Sequence, residues 1–317
     1  MLPRMPVIVG PTAGGKTGIA VRVAHALRDA GYPGTEIVSA DSMMVYRSMD
    51  IGTAKPTEEE REGITHRLID VVRPDDSFSV SQWLNLADTA IEDIRARNGI
   101  PVVAGGTHLF IKALLEGLFD GPSSDEALRA ELTAMDSAER RAMLERVDPD
   151  AAARIHTNDV RRTVRALEVW KLTGTPLSEH QKEWDAGAPR EDALLVGLVW
   201  TSEAVNKRIN ARVKQMLDEG FLDECRGLWE AGAFGDQSRE ALGYKQLISH
   251  FEGACALDEA TERIKIETRR FAKNQRTWLR RLRTIPGSRW IEMDDVDPKN
   301  ASDEIARAVL GTSLLSG

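Results

Sequence analysis

The residues with the clearest chemical potential lie near the amino terminus. Gly10 to Thr17 match every fixed position of the phosphate-binding pattern G-x-x-x-x-G-K-[ST], between an apolar run and a helix-compatible stretch. Backbone N–H groups of such a loop point at phosphate oxygens, and the helix that follows adds a positive dipole. Lys16 would reach the terminal phosphates, and the Thr17 hydroxyl would bind Mg²⁺. The predicted diphosphate-binding residues are Gly10, Pro11, Thr12, Ala13, Gly14, Gly15, Lys16 and Thr17, with Mg²⁺ as the cofactor.

Asp41 follows a second apolar run, in the sequence Ser39-Ala40-Asp41-Ser42. The end of a parallel strand next to a phosphate loop would place its carboxylate in the same crevice. The carboxylate could hold magnesium, act as a general base, or cap a turn together with Ser42. Asp70 is a weaker candidate for these roles than Asp41, because it lies inside a predicted strand.

The fourth apolar run ends in Gly105-Gly106-Thr107, where many nucleotide hydrolases carry a magnesium-binding acid. The glycines permit close approach of a ligand to the backbone, and Thr107 could donate a hydrogen bond to a bridging or leaving oxygen. A tight turn into a helix near His108 explains the same residues equally well. Because no acid stands here, an ordinary ATP hydrolase is disfavoured.

Two sets of basic residues suggest anion contacts. Arg208 and Arg212 are four residues apart and share one face of a predicted helix, which suits phosphate oxygens or a simple solvated face. The segment Arg263 to Arg283 holds nine basic residues against one acid, Glu267. The spacing places five cations on one helix face, which we call the cationic ridge: Arg269, Lys273, Arg276, Arg280 and Arg283.

The apolar residues of this helix should lie opposite the ridge and pack on the core; they are Ile264, Phe271, Trp278 and Leu282. A further basic cluster comprises Arg161, Arg162, Arg165 and Lys171. So unbalanced a set of charges favours contact with a nucleic-acid backbone over an idle solvated surface.

Short apolar runs that alternate with helical segments predict an α/β fold: a P-loop core with a parallel sheet and helices on both faces. The predicted strands are 7–9, 37–39, 67–72, 102–104, 194–200 and 289–292, and the longer predicted helices are 16–29, 80–97, 127–133, 159–172, 204–229 and 260–282. Residues 121–189 contain helical patterns and no convincing strand. We therefore expect a catalytic core of residues 1–120 and 190–317, with an all-helical domain of residues 121–189 inserted.

Composition narrows the class of protein. The chain has 317 residues, 42% hydrophobic and 29% charged, and a net charge of −8. Its two cysteines, Cys225 and Cys255, form no C-x-x-C pair, so neither a disulfide framework nor a zinc site is expected. Because neither a signal peptide nor a membrane span is visible, we expect a cytoplasmic protein with no membrane partner. We also expect it to act as a monomer.

Together these motifs resemble the tRNA dimethylallyltransferase family, over nearly the whole length. The string at 45–56, Val-Tyr-Arg-Ser-Met-Asp-Ile-Gly-Thr-Ala-Lys-Pro, is very specific to that family and hardly compatible with a generic kinase. The other matching segments are 10–17, 39–42, 105–107, 153–156, 165–169, 243–246 and 275–280. Met44, His108, Phe110 and Asn274 depart from the usual family pattern.

The resemblance implies transfer of a dimethylallyl group from dimethylallyl diphosphate to N6 of adenosine 37, beside the tRNA anticodon. It assigns Asp41 as the base, and Thr107 and Arg212 as catalytic residues that act on the diphosphate and its bridging oxygen. It implies tRNA contacts from Asp41, Ser42, Met43, Met44, Thr107, Arg129, Arg161, Arg162, Arg165, Gly243, Tyr244 and Lys245, and the inserted domain would bind tRNA. The ridge residues Arg269, Lys273, Arg276 and Arg280 complete the predicted RNA interface.

Three rival interpretations remain open from the sequence. An adenylate isopentenyltransferase would use free AMP, ADP or ATP, although two basic clusters exceed what a mononucleotide needs. A small-molecule P-loop kinase would turn over ATP without a prenyl donor. A non-catalytic RNA-binding module would use the P-loop only to sense a nucleotide.

Overall fold

The computed structural model describes residues 3–118, 121–122, 124–185 and 190–311, with the backbone alone for 183–185. The chain divides into two compact units, residues 1–112 with 191–317, and residues 113–190. The predicted domain boundaries, after residues 120 and 189, involve residues outside the described ranges. No helix in the described part is long and apolar enough to cross a bilayer.

The first unit is built on a fully parallel sheet of six strands. The strands are β1 Met5–Val9, β2 Ile37–Ala40, β3 His66–Arg67, β4 Val102–Gly105, β5 Ala193–Val199 and β6 Arg289–Glu292. Their order across the sheet is β3-β2-β4-β1-β5-β6, and each neighbouring pair is parallel. The sheet and the helices around it confirm the predicted α/β fold class.

Fourteen α-helices are described along the chain. They are α1 Lys16–Asp29, α2 Glu58–Arg61, α3 Val80–Ala96, α4 His108–Glu116, α5 Glu126–Ala134, α6 Ser137–Val147, α7 Pro149–Arg154, α8 Val160–Thr173, α9 Leu177–Asp185, α10 Ser202–Asp218, α11 Phe221–Glu230, α12 Tyr244–Phe251, α13 Leu257–Leu282 and α14 Pro298–Leu310. In the second unit, the described residues form helices α5 to α9 around a small core that includes Leu132, Leu144 and Leu167.

The core of the first unit fixes the loops that carry the chemistry. Strands β1, β5 and β6 pack against α1 and α14, and Ile8, Leu27 and Val196 are fully buried there. A second cluster joins the segment after β2 to helices α10 to α13, with Tyr46, Phe221 and Tyr244 among its largest buried side chains. Because apolar residues surround both ends of the phosphate loop, its backbone has firm support on either side.

The predicted strand at 67–72 is wrong beyond its first residue. Strand β3 ends at Arg67, and Leu68 and Asp70 have positive φ angles of 64° and 56°. A strand requires negative φ, so these conformations end the pairing with β2. Lys55 Nζ donates to the Asp70 carboxylate at 2.6 Å. Asp70 is therefore held in an ion pair at the edge of the sheet.

Candidate active site

A cavity of about 850 Å³ opens at the carboxyl ends of the central strands, lined entirely by residues of the first unit. The phosphate loop between β1 and α1 forms one side of it. Gly15, with φ of 79°, begins α1, and the Gly14 N–H closes a turn onto the Pro11 carbonyl at 3.1 Å. Positive φ is a conformation that glycine adopts without strain, which explains its place just before Lys16.

Gln275 of α13 connects the phosphate loop to the end of β4. Its Oε1 accepts a hydrogen bond from the Thr12 N–H at 2.7 Å, and its Nε2 donates to the Gly106 carbonyl at 3.0 Å. The side chain is 3% exposed. The sequence signal for this connecting role of Gln275 is a polar residue inside an otherwise apolar helix stripe, and the role was not predicted.

Lys16 lies in the cavity, where its Nζ donates to the Pro11 carbonyl at 2.9 Å. Removal from water lowers its pKa from 10.5 to about 8; the Asp41 carboxylate opposes this shift, and the Arg212 guanidinium adds to it. A desolvated ammonium binds an anion more strongly than a hydrated one.

The affinity of this cavity for inorganic pyrophosphate should therefore fall about tenfold between pH 7 and pH 9, because the neutral form of Lys16 then dominates in the free protein. Below about pH 8 the ammonium is charged and favours the anion; above that value the attraction is lost. Isothermal titration calorimetry at each pH measures this. Lys16→Met is the control: it binds pyrophosphate more weakly, and any change in its affinity with pH reflects the titration of pyrophosphate itself. An equal drop in affinity in both proteins would contradict the role of Lys16.

Asp41 directly follows β2 and lines the same cavity. Its Oδ1 accepts the N–H groups of Met43 at 2.9 Å and Met44 at 3.4 Å. The turn-capping role considered from the sequence is therefore present, and it engages one carboxylate oxygen. The Asp41 carboxylate favours the charged forms of both Lys16 and Arg212, and all three residues line the cavity.

Thr107 is held next to this turn. Its Oγ1 accepts the Ser42 N–H at 2.9 Å and lies 3.2 Å from the Ser42 hydroxyl, while its own N–H donates to the Ala40 carbonyl. The helix predicted to start near His108 is present as α4. The hydroxyl of Thr107 is thus fixed at the cavity wall between Asp41 and the phosphate loop.

Arg212 projects from α10 into the cavity. Burial lowers the pKa of its guanidinium, while the carboxylates of Asp41 and Glu60 favour the charged form. An arginine remains protonated under these conditions, so it provides a permanent positive charge with a planar set of donors.

Part of the cavity wall comes from residues 52–54 and Pro56, which belong to the string at 45–56. The Glu224 carboxylate accepts three consecutive backbone N–H groups there, from Asp50, Ile51 and Gly52, at 2.8–3.1 Å. It also accepts the Tyr244 hydroxyl at 2.6 Å. A carboxylate with so many donors fixes the loop in one conformation.

The described residues contain no cluster of three or more His, Cys, Asp or Glu side chains suited to a metal ion. The Thr17 hydroxyl and Asp41 do line the cavity. This donor set fits Mg²⁺, which is commonly bound through one or two protein oxygens together with substrate phosphates and water.

Comparison with known proteins identifies the family. The sequence model of the family described as IPP transferase matches residues 44–282. A tRNA dimethylallyltransferase of Geobacillus kaustophilus is 42% identical over 98% of both chains, and one of Geobacter sulfurreducens is 43% identical over 91% and 92%. This chain belongs to the IPP transferase family.

Solved structures of similar proteins agree. A full-length tRNA isopentenylpyrophosphate transferase from Bacillus halodurans has a TM-score of 0.70 and 38% identity, covering 98% of this chain and 96% of its own. A eukaryotic dimethylallyltransferase acting on tRNA has a TM-score of 0.80 and 27% identity, covering 96% of this chain and 78% of its own.

Four residues of the cationic ridge lie on α13 and Arg283 directly follows it; their exposure varies. Lys273 and Arg280 are exposed, whereas Arg269 donates to Asn210 Oδ1 at 2.6 Å and Arg276 contacts the Ser202 hydroxyl. Arg283 lies over the Trp290 ring and pairs with Glu292 at 3.2 Å.

The predicted burial of Phe271 is wrong. Its side chain is 44% exposed and lines the cavity. The predicted burial of Ile264 and Leu282 is confirmed, and the other buried residues of α13 are Ala260, Ala272, Gln275 and Leu279. The small Ala272 and the polar Gln275 continue the stripe where a larger apolar residue was expected, so Phe271 falls beside it.

Residues of the 243–245 segment have different environments. Gly243 lines the cavity and its N–H donates to Gln246 Oε1 at 2.8 Å. Tyr244 is fully buried, and burial together with Glu224 raises the pKa of its hydroxyl. The Lys245 ammonium is exposed and pairs with Glu240.

In the second unit, Arg129 and Arg165 pair with Glu168, whose carboxylate is fully buried. Burial opposes ionisation of this carboxyl, but hydrogen bonds from both arginines lower its pKa overall. Arg161 and Arg162 are exposed on the first turns of α8. Two of the four arginines thus stabilise this unit, and two present their charge to solvent.

Proposed function

We propose that this chain transfers a dimethylallyl group from dimethylallyl diphosphate to N6 of adenosine 37 in tRNA, with release of diphosphate. The observation that carries the proposal is that the Asp41 carboxylate, directly after β2, shares one cavity with two desolvated cations, Lys16 and Arg212. The relatives named tRNA dimethylallyltransferase support the same reaction.

The reaction divides between these groups. The N6 nitrogen forms a bond to the allylic carbon, the bond from that carbon to the diphosphate oxygen breaks, and an N6 proton passes to Asp41. An exocyclic amine is a weak nucleophile because its lone pair is delocalised, so a positioned base accelerates attack.

The departing diphosphate gains charge as the carbon–oxygen bond breaks. Lys16, the backbone N–H groups before α1 and Arg212 stabilise that charge, and the Thr107 hydroxyl donates to the bridging oxygen. Mg²⁺, held by Thr17 and the diphosphate oxygens, would supply further charge neutralisation. A monomer suffices for this chemistry, because every group named belongs to one chain.

The phosphate loop and Asp41 do not by themselves distinguish tRNA from a free nucleotide. The ridge on α13 and the exposed arginines of α8 favour a polyanionic acceptor, since a mononucleotide offers too few phosphates to engage them. The adenosine must leave the anticodon-loop stack to reach a cavity of this kind.

The direct test is incubation of the protein with labelled dimethylallyl diphosphate and total tRNA, followed by nucleoside analysis. We expect label in dimethylallyl-adenosine from tRNA, and little transfer to AMP, ADP or ATP. Equal transfer to AMP would favour an adenylate isopentenyltransferase, and ATP turnover without prenyl donor would favour a kinase. Pyrophosphate binding without any transfer would favour a non-catalytic RNA-binding module.

Charge reversal on the ridge should weaken tRNA binding. The double variant Lys273→Glu, Arg280→Glu is expected to raise the Kd for tRNA at least about tenfold and to flatten its dependence on salt. Affinity for pyrophosphate should stay unchanged, because neither residue lines the cavity. Filter binding at several salt concentrations measures the Kd for tRNA and its dependence on salt.

Arg22→Glu with Arg307→Glu is the matched control, since these exposed arginines lie on α1 and α14, away from α13. An equal loss of tRNA affinity in this control would show that only net charge matters and would contradict a specific ridge.

A further inference from the structure

Two carbonyl groups of the phosphate loop are held by side chains that lie outside the motif. The indole Nε1–H of Trp200, directly after β5, donates to the Gly14 carbonyl at 3.1 Å. The Nε–H of Arg208, on α10, donates to the Ala13 carbonyl at 2.6 Å. The two side chains also support each other, because the Arg208 guanidinium lies over the Trp200 ring, 4.6 Å from its centroid.

The loop is shaped to receive this pair. A Cβ atom at Gly14 would lie 3.3 Å from the Trp200 Nε1 and only 2.8 Å from the Pro11 carbonyl, so a larger residue would disturb the contact. Ala13 has a φ of 57°, which is costly for any residue other than glycine. A hydrogen bond to its carbonyl helps to hold that conformation.

These two hydrogen bonds also fix the direction of backbone N–H groups in the phosphate loop, because a peptide unit is planar. The Gly14 carbonyl and the Gly15 N–H belong to one planar trans peptide unit, so they point in opposite directions. With the carbonyl fixed on the indole, the Gly15 N–H must point away from Trp200. The preceding unit behaves likewise, since the Ala13 carbonyl bonds to Arg208 while the Gly14 N–H donates to Pro11.

We propose that Trp200 and Arg208 are positioning residues that aim the Gly15 N–H at the leaving diphosphate. This inference rests on the proposed function, because it refines the same diphosphate site. Gly15 and Arg208 line the cavity, whereas Trp200 does not, so the indole acts only through the peptide unit and its replacement is the deciding test. A donor that is already aimed stabilises developing charge without reorganisation, so the effect extends to the transition state.

The test is Trp200→Phe, which removes the N–H donor and keeps an aromatic ring under Arg208. We expect the Kd for inorganic pyrophosphate to rise about threefold to tenfold, the range for loss of one hydrogen bond. The kcat for prenyl transfer should fall by at least the same factor, with the KM for tRNA unchanged. Thermal unfolding of each protein is recorded alongside.

Trp290→Phe is the matched control. Trp290 is also half-buried, donates through Nε1 to the Ser288 hydroxyl at 3.0 Å and lies under an arginine, with Arg283 5.0 Å from its centroid. It lies on β6 and its indole N–H donates to Ser288 rather than to the phosphate loop, so pyrophosphate affinity should stay within about twofold of wild type.

A second variant, Arg208→Lys, keeps the positive charge but loses the guanidinium that stacks on Trp200 and donates to Ala13. It should also weaken pyrophosphate binding, and it serves if Trp200→Phe fails to fold. Unchanged pyrophosphate affinity in folded Trp200→Phe, or an equal loss of affinity in Trp290→Phe, would overturn this inference. Neither result would contradict the proposed transfer reaction. A wild-type protein that binds pyrophosphate without prenyl transfer would refute the proposed function, and the binding comparison would still decide the role of Trp200.

Discussion

Asp41→Asn is expected to lower kcat for prenyl transfer about a hundredfold to ten-thousandfold, with the KM for dimethylallyl diphosphate within about threefold of wild type. An asparagine oxygen can still accept the Met43 N–H, which Asp41 Oδ1 accepts at 2.9 Å, so the turn after β2 should persist. What disappears is the capacity to take a proton from N6. Single-turnover measurements with labelled donor and saturating tRNA separate this chemical step from binding.

A matched control exists on α14. Asp297 Oδ1 likewise accepts the N–H of the second residue after it, Lys299, at 2.7 Å, yet Asp297 does not line the cavity. Asp297→Asn should therefore retain full activity. If Asp41→Asn kept more than about a third of the wild-type kcat, Asp41 would be a turn-capping residue only, and another group would have to accept the proton.

Local sequence patterns predicted the elements that carry the site. Helix 16–29 and strand 289–292 match α1 and β6 at both ends. In these elements the determinants are local: a glycine loop before Lys16, and the apolar pair Trp290-Ile291 after the turn at Pro286-Gly287. The phosphate loop and the turn at Asp41 depend on the same kind of local pattern, so residue type and spacing predicted their positions in the fold.

The predictions failed where distant contacts or a single backbone angle decide the structure. Helix 204–229 is interrupted at Gly220, whose φ of 101° begins α11 as a separate helix. The strand predicted through Asp70 ends at Arg67, because Leu68 and Asp70 have positive φ angles. Hydrophobic periodicity reveals neither of these breaks, since it does not report single backbone angles.

Residues that hold the site together were the hardest to infer. Gln275, Glu224 and Trp200 each bind backbone groups more than 160 residues away in sequence. Their side chains are compatible with many ordinary roles, and only the folded arrangement brings them to the phosphate loop and the cavity wall. The sequence therefore predicted residues that line the cavity, such as Asp41 and Lys16, but not the side chains that hold the backbone around it.

Replacement of Arg212 should have the second large effect. Arg212→Gln is expected to lower kcat/KM about a hundredfold to a thousandfold, because the diphosphate loses a permanent charge in a poorly hydrated cavity. Arg212→Lys should retain part of the activity, since a point charge replaces the planar guanidinium. Steady-state kinetics measures both, with Lys214→Gln as the control: Lys214 lies on the same helix, exposed and paired with Asp218.

The Arg212→Gln variant should also shift the pH dependence of pyrophosphate binding in a definite direction. The Arg212 charge contributes to lowering the pKa of Lys16, which is about 8. Without that charge the pKa of Lys16 should rise, so the loss of pyrophosphate affinity should begin at a higher pH than in wild type. A profile that stays at the wild-type position while kcat/KM collapses would mean that Arg212 acts apart from Lys16. A shift to higher pH would instead show that the Arg212 charge acts on Lys16, so that the two cations form one cluster around the departing diphosphate.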